Sequence, residues 1–473
     1  MVSAPESINS PDAIVELAEF ARGVDFSGLS AEVMAATHVE LLDTVGCALG
    51  GNRIVDRESL LAVAGGARPG NAASIWGTNA LYAAPDAALI NGTVGHALEF
   101  DDTHDTGALH VGVTVIPAVV AAAESIGASG VDTLSGIVGG IEVAARLAMA
   151  STVGPGVSGW LLTPLCGYFG AAAGAGRVLG LTHDQMINAL GLAYAQTAGN
   201  GQATLDGGET KRMQAGLAAR GGLLSALLAR GGVTAARRVL EGPRGYYSVY
   251  HAGAYDGTKI TEGLTDTYEV AALSLKPYPC CRWTHAAIEA AFELRGSGVD
   301  PSAIDRVDVV VNQQSYNSTG SDPERRQRPT TPIEAQFSIP YVFAVAYSHG
   351  RVTLNDFQPV AIGDQSTLAL ARRVFPAPAP ATDAAAARNL SGAAVTITAT
   401  DGRSFSATID APSRLRPGAD ALGSVGEKFL ELCEFGGVER SWAIEMRERL
   451  THLDAVDVIT QLLPIAAEGV RAS

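Results

Sequence analysis

The stretch Asn91 to His110, NGTVGHALEFDDTHDTGALH, places three histidines and four carboxylates in a region otherwise built of Ala, Val, Ile and Gly. Imidazoles exchange protons near neutral pH, and neighbouring carboxylates orient them or set their charge. His96, Glu99 and Thr103 fall at i, i+3 and i+7, so the spacing predicts a helix with all three on one stripe beside Phe100. Asp101 and Asp102 fan away from that stripe. Asp105-Thr106-Gly107 then breaks the helix and leaves His110 at the mouth of the next apolar segment. Burying such a set is costly unless its members are paired or used, which marks the cluster as a site. Neither an HExxH nor a DxDxDG spacing is present, so no metal is expected.

Further chemistry-bearing residues lie far along the chain. Lys211, in GGETKRMQAG, follows a glycine-rich loop at a helix start, where backbone N–H groups and an ammonium would both favour an anion. The plainer reading of Lys211 and Arg212 is a solvated loop pair. Lys276, in LSLKPYPCCRWTHAAIEA, is delivered by a strand-like run into neutral surroundings before a helix capped by Thr284. His285 reads as a hydrogen bonder at that helix start rather than a base. Tyr341, after Pro340 on the apolar helix following QFSIP, is by residue type more often core than catalytic.

The elements that must position these groups are mostly helices. Ser10-Pro11-Asp12 and Ser30 each open an amphipathic helix, the second closing at Gly50-Gly51. From Ala83 to about Leu228 helix follows helix, with Ala and Gly frequent enough that backbones must approach closely. SGIVGG and GAAAGAGRVLG follow no β-branched strand and have no acid twenty residues on, so helix packing explains them better than a dinucleotide loop. Leu147 to Gly176 is uncharged and long enough to span a bilayer, but Pro155, Pro164, the glycines and the turn VGPGVSG argue for core helices.

Near residue 268 the texture changes. Glu269 to Leu275 and Arg306 to Asn312 read as strands, and AAVTITATDGRSFSATID as a hairpin around Asp401-Gly402. Helices are expected from Thr284 to Leu294 and from Ala335 to Tyr347, and a low-complexity surface loop from Pro376, PAPAPATDAAAA. Helices return at Gly423 to Phe435, Ser441 to Leu450 and Val456 to Ala466. The expected division is an all-helical part over 1–268, an α+β part over 269–411 and C-terminal helices over 412–473 that pack back on the first.

Composition fits this picture. With 473 residues, 47% hydrophobic, the chain has ample material for more than one core. A net charge of −16 argues against a nucleic-acid surface, and an anionic substrate must find local cations against the global field. Five cysteines fit neither a disulfide framework nor a CxxC pair and read as reduced thiols. The N-terminus has no basic segment followed by an apolar core, so no signal peptide is expected and the chain is placed in the cytoplasm.

Five blocks, HALEFDDTH with a following ALH, LTPLCGYFGAAAGAGRVLGL, TKRMQAGLAARGGLLSALLARGG, KPYPCCRWTHAAIEA and EAQFSIPYVFA, resemble successive blocks of the MmgE/PrpD family over nearly the whole chain. That family includes 2-methylcitrate dehydratases, cis-aconitate decarboxylases and iminodisuccinate epimerases, and the block spacing is nearest the fungal cis-aconitate decarboxylase type. The resemblance implies a mainly α fold, a large helical domain from both chain ends plus a smaller α+β lid domain, in a metal-free and cofactor-free homodimer. It implies a small carboxylate substrate in a cleft between the domains. His110, Lys211 and Lys276 are expected to do the chemistry, and Glu99, Asp102, Thr103, Leu161 and Tyr341 to hold the substrate.

The sequence also departs from the family pattern. Many members carry a histidine where this chain has Leu161, after Gly159-Trp160, and another three or four residues after the lysine, where this chain has Gln214 and Ala215. Losing two imidazoles makes the cleft less cationic, which points to a less highly charged acid with an apolar arm against Leu161. The expected activity is a lyase removing water or carbon dioxide from a di- or tricarboxylic acid by proton transfer at the α-carbon. The alternatives are an epimerase or isomerase using the same site, and a binding protein that has lost catalysis.

Overall fold

The computed structural model describes residues 12–464 apart from 69, 154–158, 380–391 and 416. Its longer helices are α1 (Ile14–Gly23), α2 (Ala31–Gly51), α3 (Ala84–Gly95), α4 (Gly112–Ile126), α5 (Gly130–Ala150), α6 (Leu162–Val178), α7 (His183–Gln196), α8 (Thr210–Arg230), α9 (His285–Arg295), α10 (Ile339–His349), α11 (Ala421–Phe435) and α12 (Arg440–Thr451). A short hairpin pairs β1 (Ala72–Ser74) with β2 (Leu81–Ala83). The second sheet has the order β4-β3-β5-β6, from β3 (Ile304–Val311), β4 (Val374–Pro378), β5 (Ala393–Ala399) and β6 (Ser404–Ile409). Pairing is parallel between β3 and β4 and antiparallel elsewhere, and Gly402 turns the β5–β6 hairpin at φ 86°.

The fold is mainly α, with two large hydrophobic cores. One joins residues from Ile14 to Leu275 with residues from Ala421 to Leu463, and the other lies between Cys280 and Ala407. The chain therefore leaves the helical core, builds the sheet and its helices, and returns. All five cysteines are free and buried.

Glycines let the helical core close. A Cβ on Gly140 would lie 2.7 Å from the Gly170 carbonyl oxygen, and one on Gly174 would lie 2.6 Å from that of Gly136. The two pairs, each spaced by four, form a small-residue seam between α5 and α6, so the glycine-rich segments serve helix packing. Helix α5 is long and apolar enough to cross a bilayer, but nearly all of it is buried against its neighbours. A second close crossing, Gly92 of α3 against Gly216 of α8, brings the start of α8 beside the loop that leaves α3.

Several expected elements differ. Helix α3 stops at Gly95, and Glu99 adopts φ 54°, so residues 96–103 form an irregular turn and not a helical stripe. Glu269 to Leu275 is a 3-10 turn over Glu269–Ala272 followed by two isolated bridges, Ser274 to Thr103 and Leu275 to Leu415. Single bridges replace a strand because the run threads between helices with no sheet edge beside it. The Pro-rich loop begins as an edge strand, where Pro376 removes no ladder bond that the sheet needs, and its remainder lies outside the described residues. Ala335 to Tyr347 is divided by Ser338, whose hydroxyl accepts the Tyr341 N–H and starts a new helix. The Thr284 hydroxyl donates to the Cys281 carbonyl and does not cap α9.

The expected helix from Val456 is absent over residues 456–464, with 465 and 466 outside the described residues. Its N–H groups reach outward instead, Ile459 to the Ala128 carbonyl and Leu462 to the Glu124 carboxylate. Ser30 caps α2 as expected, and Asp12 accepts the Ile14 N–H, while Ser10 and Pro11 are outside the described residues.

Two alanine substitutions separate packing from backbone effects. Gly174→Ala forces a methyl into the α5–α6 seam and lowers unfolding stability by about 1–3 kcal/mol. Gly423→Ala, on α11 with no atom within 4 Å of the added carbon, raises it by about 0.5–1 kcal/mol. Urea denaturation of both variants checks the opposite signs.

Candidate active site

A cavity of about 610 Å³ opens between the two cores. Its walls come from the turn after α3, the start of α6, the loop before α8, the segment before α9 and the turn at residues 314–318.

At its inner end the turn after α3 sets out a linked group of side chains. Asp101 is fully buried, and its Oδ2 accepts from His96 Nδ1 at 2.8 Å and from His110 Nδ1 at 3.1 Å. His110 Nδ1 also reaches the Asp102 carbonyl oxygen at 2.7 Å, and the two rings meet edge to face with centroids 4.6 Å apart. Lys211 Nζ lies 2.7 Å from His96 Nε2 and also binds the Glu99 carboxylate. An ammonium can only donate, so His96 Nε2 accepts and the ring is neutral with its proton on Nδ1. The same logic fixes the proton of His110 on Nδ1 and leaves Nε2 with no protein partner among the described residues.

Burial pushes His110 down to about 4, with Asp101 opposing that shift and Lys276 adding to it. The resting ring is therefore a neutral base whose imidazolium, once formed, has a buried carboxylate beside it. Asp101 is held well below the ordinary carboxylate range because His96 and His110 outweigh its burial. Glu99 is held at about 2: burial opposes ionisation, and the Lys211 ammonium, with Lys276 behind it, overcomes it. Its left-handed backbone is uncommon for a non-glycine residue, and it lets the carboxylate turn back toward the start of α8. The anion expected at that helix start is thus the protein's own Glu99.

Of the residues expected at the site, His110, Lys211, Glu99, Thr103 and Leu161 line the cavity. The Thr103 hydroxyl donates to Asp105 at 3.0 Å. Lys276 is close but fully buried behind Glu99, donating to the Glu99 carbonyl at 2.9 Å and lying 3.6 Å from its carboxylate. Its ammonium stays charged despite burial, because Glu99 and Asp101 raise it. Asp102 does not face the cavity. Its oxygens accept the Val111 and Gly112 N–H groups and cap α4, and burial with Asp101 raises it to about 7. Tyr341 is also elsewhere, in the second core, donating to the Asp356 carbonyl at 2.6 Å. An apolar helix buries its aromatic ring, which is the reading its residue type favours.

At the departures from the family pattern, Leu161 forms cavity wall, Ala215 is buried, and Gln214 brackets Asn200 by accepting its N–H and donating to its carbonyl. His285 accepts from Arg282, the hydrogen-bonding role read from sequence.

Three residues were missed. Arg282 lines the cavity and pairs with Asp105 at 3.2 Å. Lys428 of α11 ties the Phe100 and Lys276 carbonyls together at 2.7 and 3.2 Å and pairs with Asp43. Gln336 donates to the Leu98 and Pro279 carbonyls, at 2.8 and 3.2 Å. Nothing in local sequence marks them, because apart from His285, three residues from Arg282, every partner is distant along the chain.

His96, Asp101 and His110 offer ligand atoms within 4.8 Å of one another, the spacing of a cation site. They fit one poorly: both Nδ1 atoms already share the Asp101 oxygen, and the Lys211 ammonium occupies His96 Nε2. The neutral rings are testable directly. Two-dimensional 15N spectra of the histidines at pH 7 should show His96 and His110 protonated on Nδ1, with His110 unchanged down to about pH 4. A cationic His110 at pH 6, or a proton on its Nε2, contradicts the assignment.

Comparison with known proteins agrees with this architecture. The MmgE/PrpD N-terminal domain matches residues 15–257 and the MmgE/PrpD C-terminal domain matches 278–451. The cis-aconitate decarboxylase-like protein oryM of Aspergillus oryzae is 29% identical over 389 residues, 78% of this chain and 80% of its own length. A cis-aconitate decarboxylase of Aspergillus terreus is 30% identical over 422 residues, 84% of each chain. The human cis-aconitate decarboxylase is 28% identical over 305 residues, covering 61% of this chain and 60% of its own. With both family domains matched in order around a shared cavity, the chain belongs to the MmgE/PrpD family.

Proposed function

We propose that the protein is a cofactor-independent lyase that removes carbon dioxide or water from a di- or tricarboxylic acid, with His110 as the proton carrier. The carrying observation is the placement of the His110 ring: its Nδ1 is held by Asp101 and the Asp102 carbonyl, and the ring lines the cavity beside Lys211. The names of the relatives favour loss of carbon dioxide.

Both routes balance at this site. In decarboxylation the C–C bond to the departing CO2 breaks, its electron pair stays on carbon, and that carbon takes the proton carried by His110. A substrate carboxylate beside the ring favours its protonated form before this step. In dehydration Nε2 takes the α-proton, the C–H pair forms the alkene, and hydroxide leaves with a proton from solvent. In each case Lys211 places positive charge where the carboxylate-conjugated carbanion develops. Lys276 supports Glu99 from behind and acts as a positioning residue. A homodimer in the cytoplasm is part of the same proposal and rests on the family resemblance.

Incubating a panel of di- and tricarboxylic acids in D2O tests the reading by proton NMR. The expected result is deuterium incorporation with a new alkene or loss of CO2, lowered by roughly 10²–10⁴ in His110→Ala. Exchange without loss of a group would make the protein an epimerase. Full activity in His110→Ala would remove the proposed proton carrier.

A further inference from the structure

The cations around this cavity are nearly all committed to the protein's own groups. Arg282 has five N–H bonds, and all five are used: Nε to Asp105, Nη1 to His285 and the Ser413 carbonyl, Nη2 to Asp105 and the Pro412 carbonyl. Lys211 uses two of its three, on His96 and Glu99. Lys276 is sealed from the cavity. The lining histidines are uncharged as well: His104 accepts the Gly107 N–H on Nδ1 and gives its other nitrogen to Glu269 at 2.9 Å, as His96 and His110 are fixed by their own partners. Among the described residues, the charged lining before substrate binds is therefore Lys211 and Arg282 against Glu99 and Asp105, which cancels, and protonation of His110 beside a bound carboxylate adds a single positive charge.

A trianion in such a lining would bring three charges to one uncommitted ammonium N–H. Neutral donors such as Asn200, Gln202 and Asn317 would compensate only part of the lost solvation. Apolar side chains make up much of the rest of the lining, with Leu109, Leu161, Leu162, Pro164 and Trp283 contributing. At about 610 Å³ the cavity also falls within the range of roughly 300–1,000 Å³ that encloses drug-sized ligands. Charge balance, wall chemistry and volume all favour the same kind of molecule.

We infer that the substrate carries no more than two carboxylates, with the reacting one at His110 and Lys211, and an apolar arm of several carbons lying along Leu161, Leu162 and Trp283. The inference rests on the lyase reading only in taking this cavity as the place where substrate binds.

Calorimetric titration of the full chain with unreactive acids tests it without requiring turnover. The probes are succinate, its 2-ethyl, 2-butyl and 2-hexyl derivatives, and the tricarboxylate tricarballylate. Affinity should rise about fourfold per added methylene, and tricarballylate should bind more weakly than 2-butylsuccinate. Leu161→Asn should flatten the dependence on arm length. Affinity indifferent to the arm, tricarballylate as the tightest ligand, or no binding of any alkylsuccinate at millimolar concentration would each overturn the inference. Its failure is distinguishable from that of the lyase reading: rising affinity with no exchange or turnover of any matched reactive acid sinks the lyase reading alone. Turnover of armless tricarboxylates without any arm effect sinks this inference alone.

Discussion

One buried carboxylate oxygen, Oδ2 of Asp101, receives the N–H of two imidazoles, and the geometry of the cavity's inner end follows from it. A carboxylate so far from water survives as an anion only with such donors. Those donors in turn fix both rings as Nδ1-protonated, turn His96 Nε2 to Lys211 and leave His110 Nε2 without a protein partner among the described residues. The turn that carries Asp101 is held by its own neighbours: Asp102 caps α4, Lys428 holds the Phe100 carbonyl, and Lys276 holds that of Glu99. Thus α11, from the far end of the chain, supports the site without touching the cavity.

The same turn shows why a helical protein places its chemistry in irregular backbone. A continued helix would spread His96, Asp101 and His110 over successive turns. Ending α3 at Gly95 and passing through a left-handed Glu99 folds fifteen residues back on themselves, so the short span to His110 presents several groups to one point. Close packing at Gly92 and Gly216 then supplies Lys211 from α8. Opposite charges are matched pair by pair, which keeps the buried site stable but leaves little free cationic character for a highly charged ligand.

Much of this was legible in the sequence, for identifiable reasons. Helical periodicity, the Ser30 cap, the Asp401-Gly402 hairpin and the β-branched run at β3 are local signals, and they correspond to observed elements. The acid and histidine cluster stood out because so many titratable groups rarely fall within an apolar region, and most of it gathers at one cavity. Its backbone was not: spacing of three and four reads as a helix, and no local rule reveals that Glu99 turns left-handed. Residue type separated poorly between groups that face the cavity and groups that hold it. Asp102 is a helix cap, Tyr341 a core aromatic, and Lys276 a buried brace. Arg282 stayed hidden because its main partner, Asp105, lies 177 residues away.

The claim on which the account turns is that Asp101 stabilises the proton that His110 carries. The pH dependence of kcat/KM for an acid that the enzyme turns over, compared between wild type and Asp101→Asn, tests it most directly. Where His110 acts as a base, as in dehydration, the account predicts a wild-type kcat/KM that falls below about pH 4; where it delivers the proton, as in decarboxylation, kcat/KM falls as pH rises through the same group. In both cases Asp101→Asn lowers kcat roughly a hundredfold or more and moves the limb lower. A variant that folds and keeps the wild-type kcat and profile would contradict it.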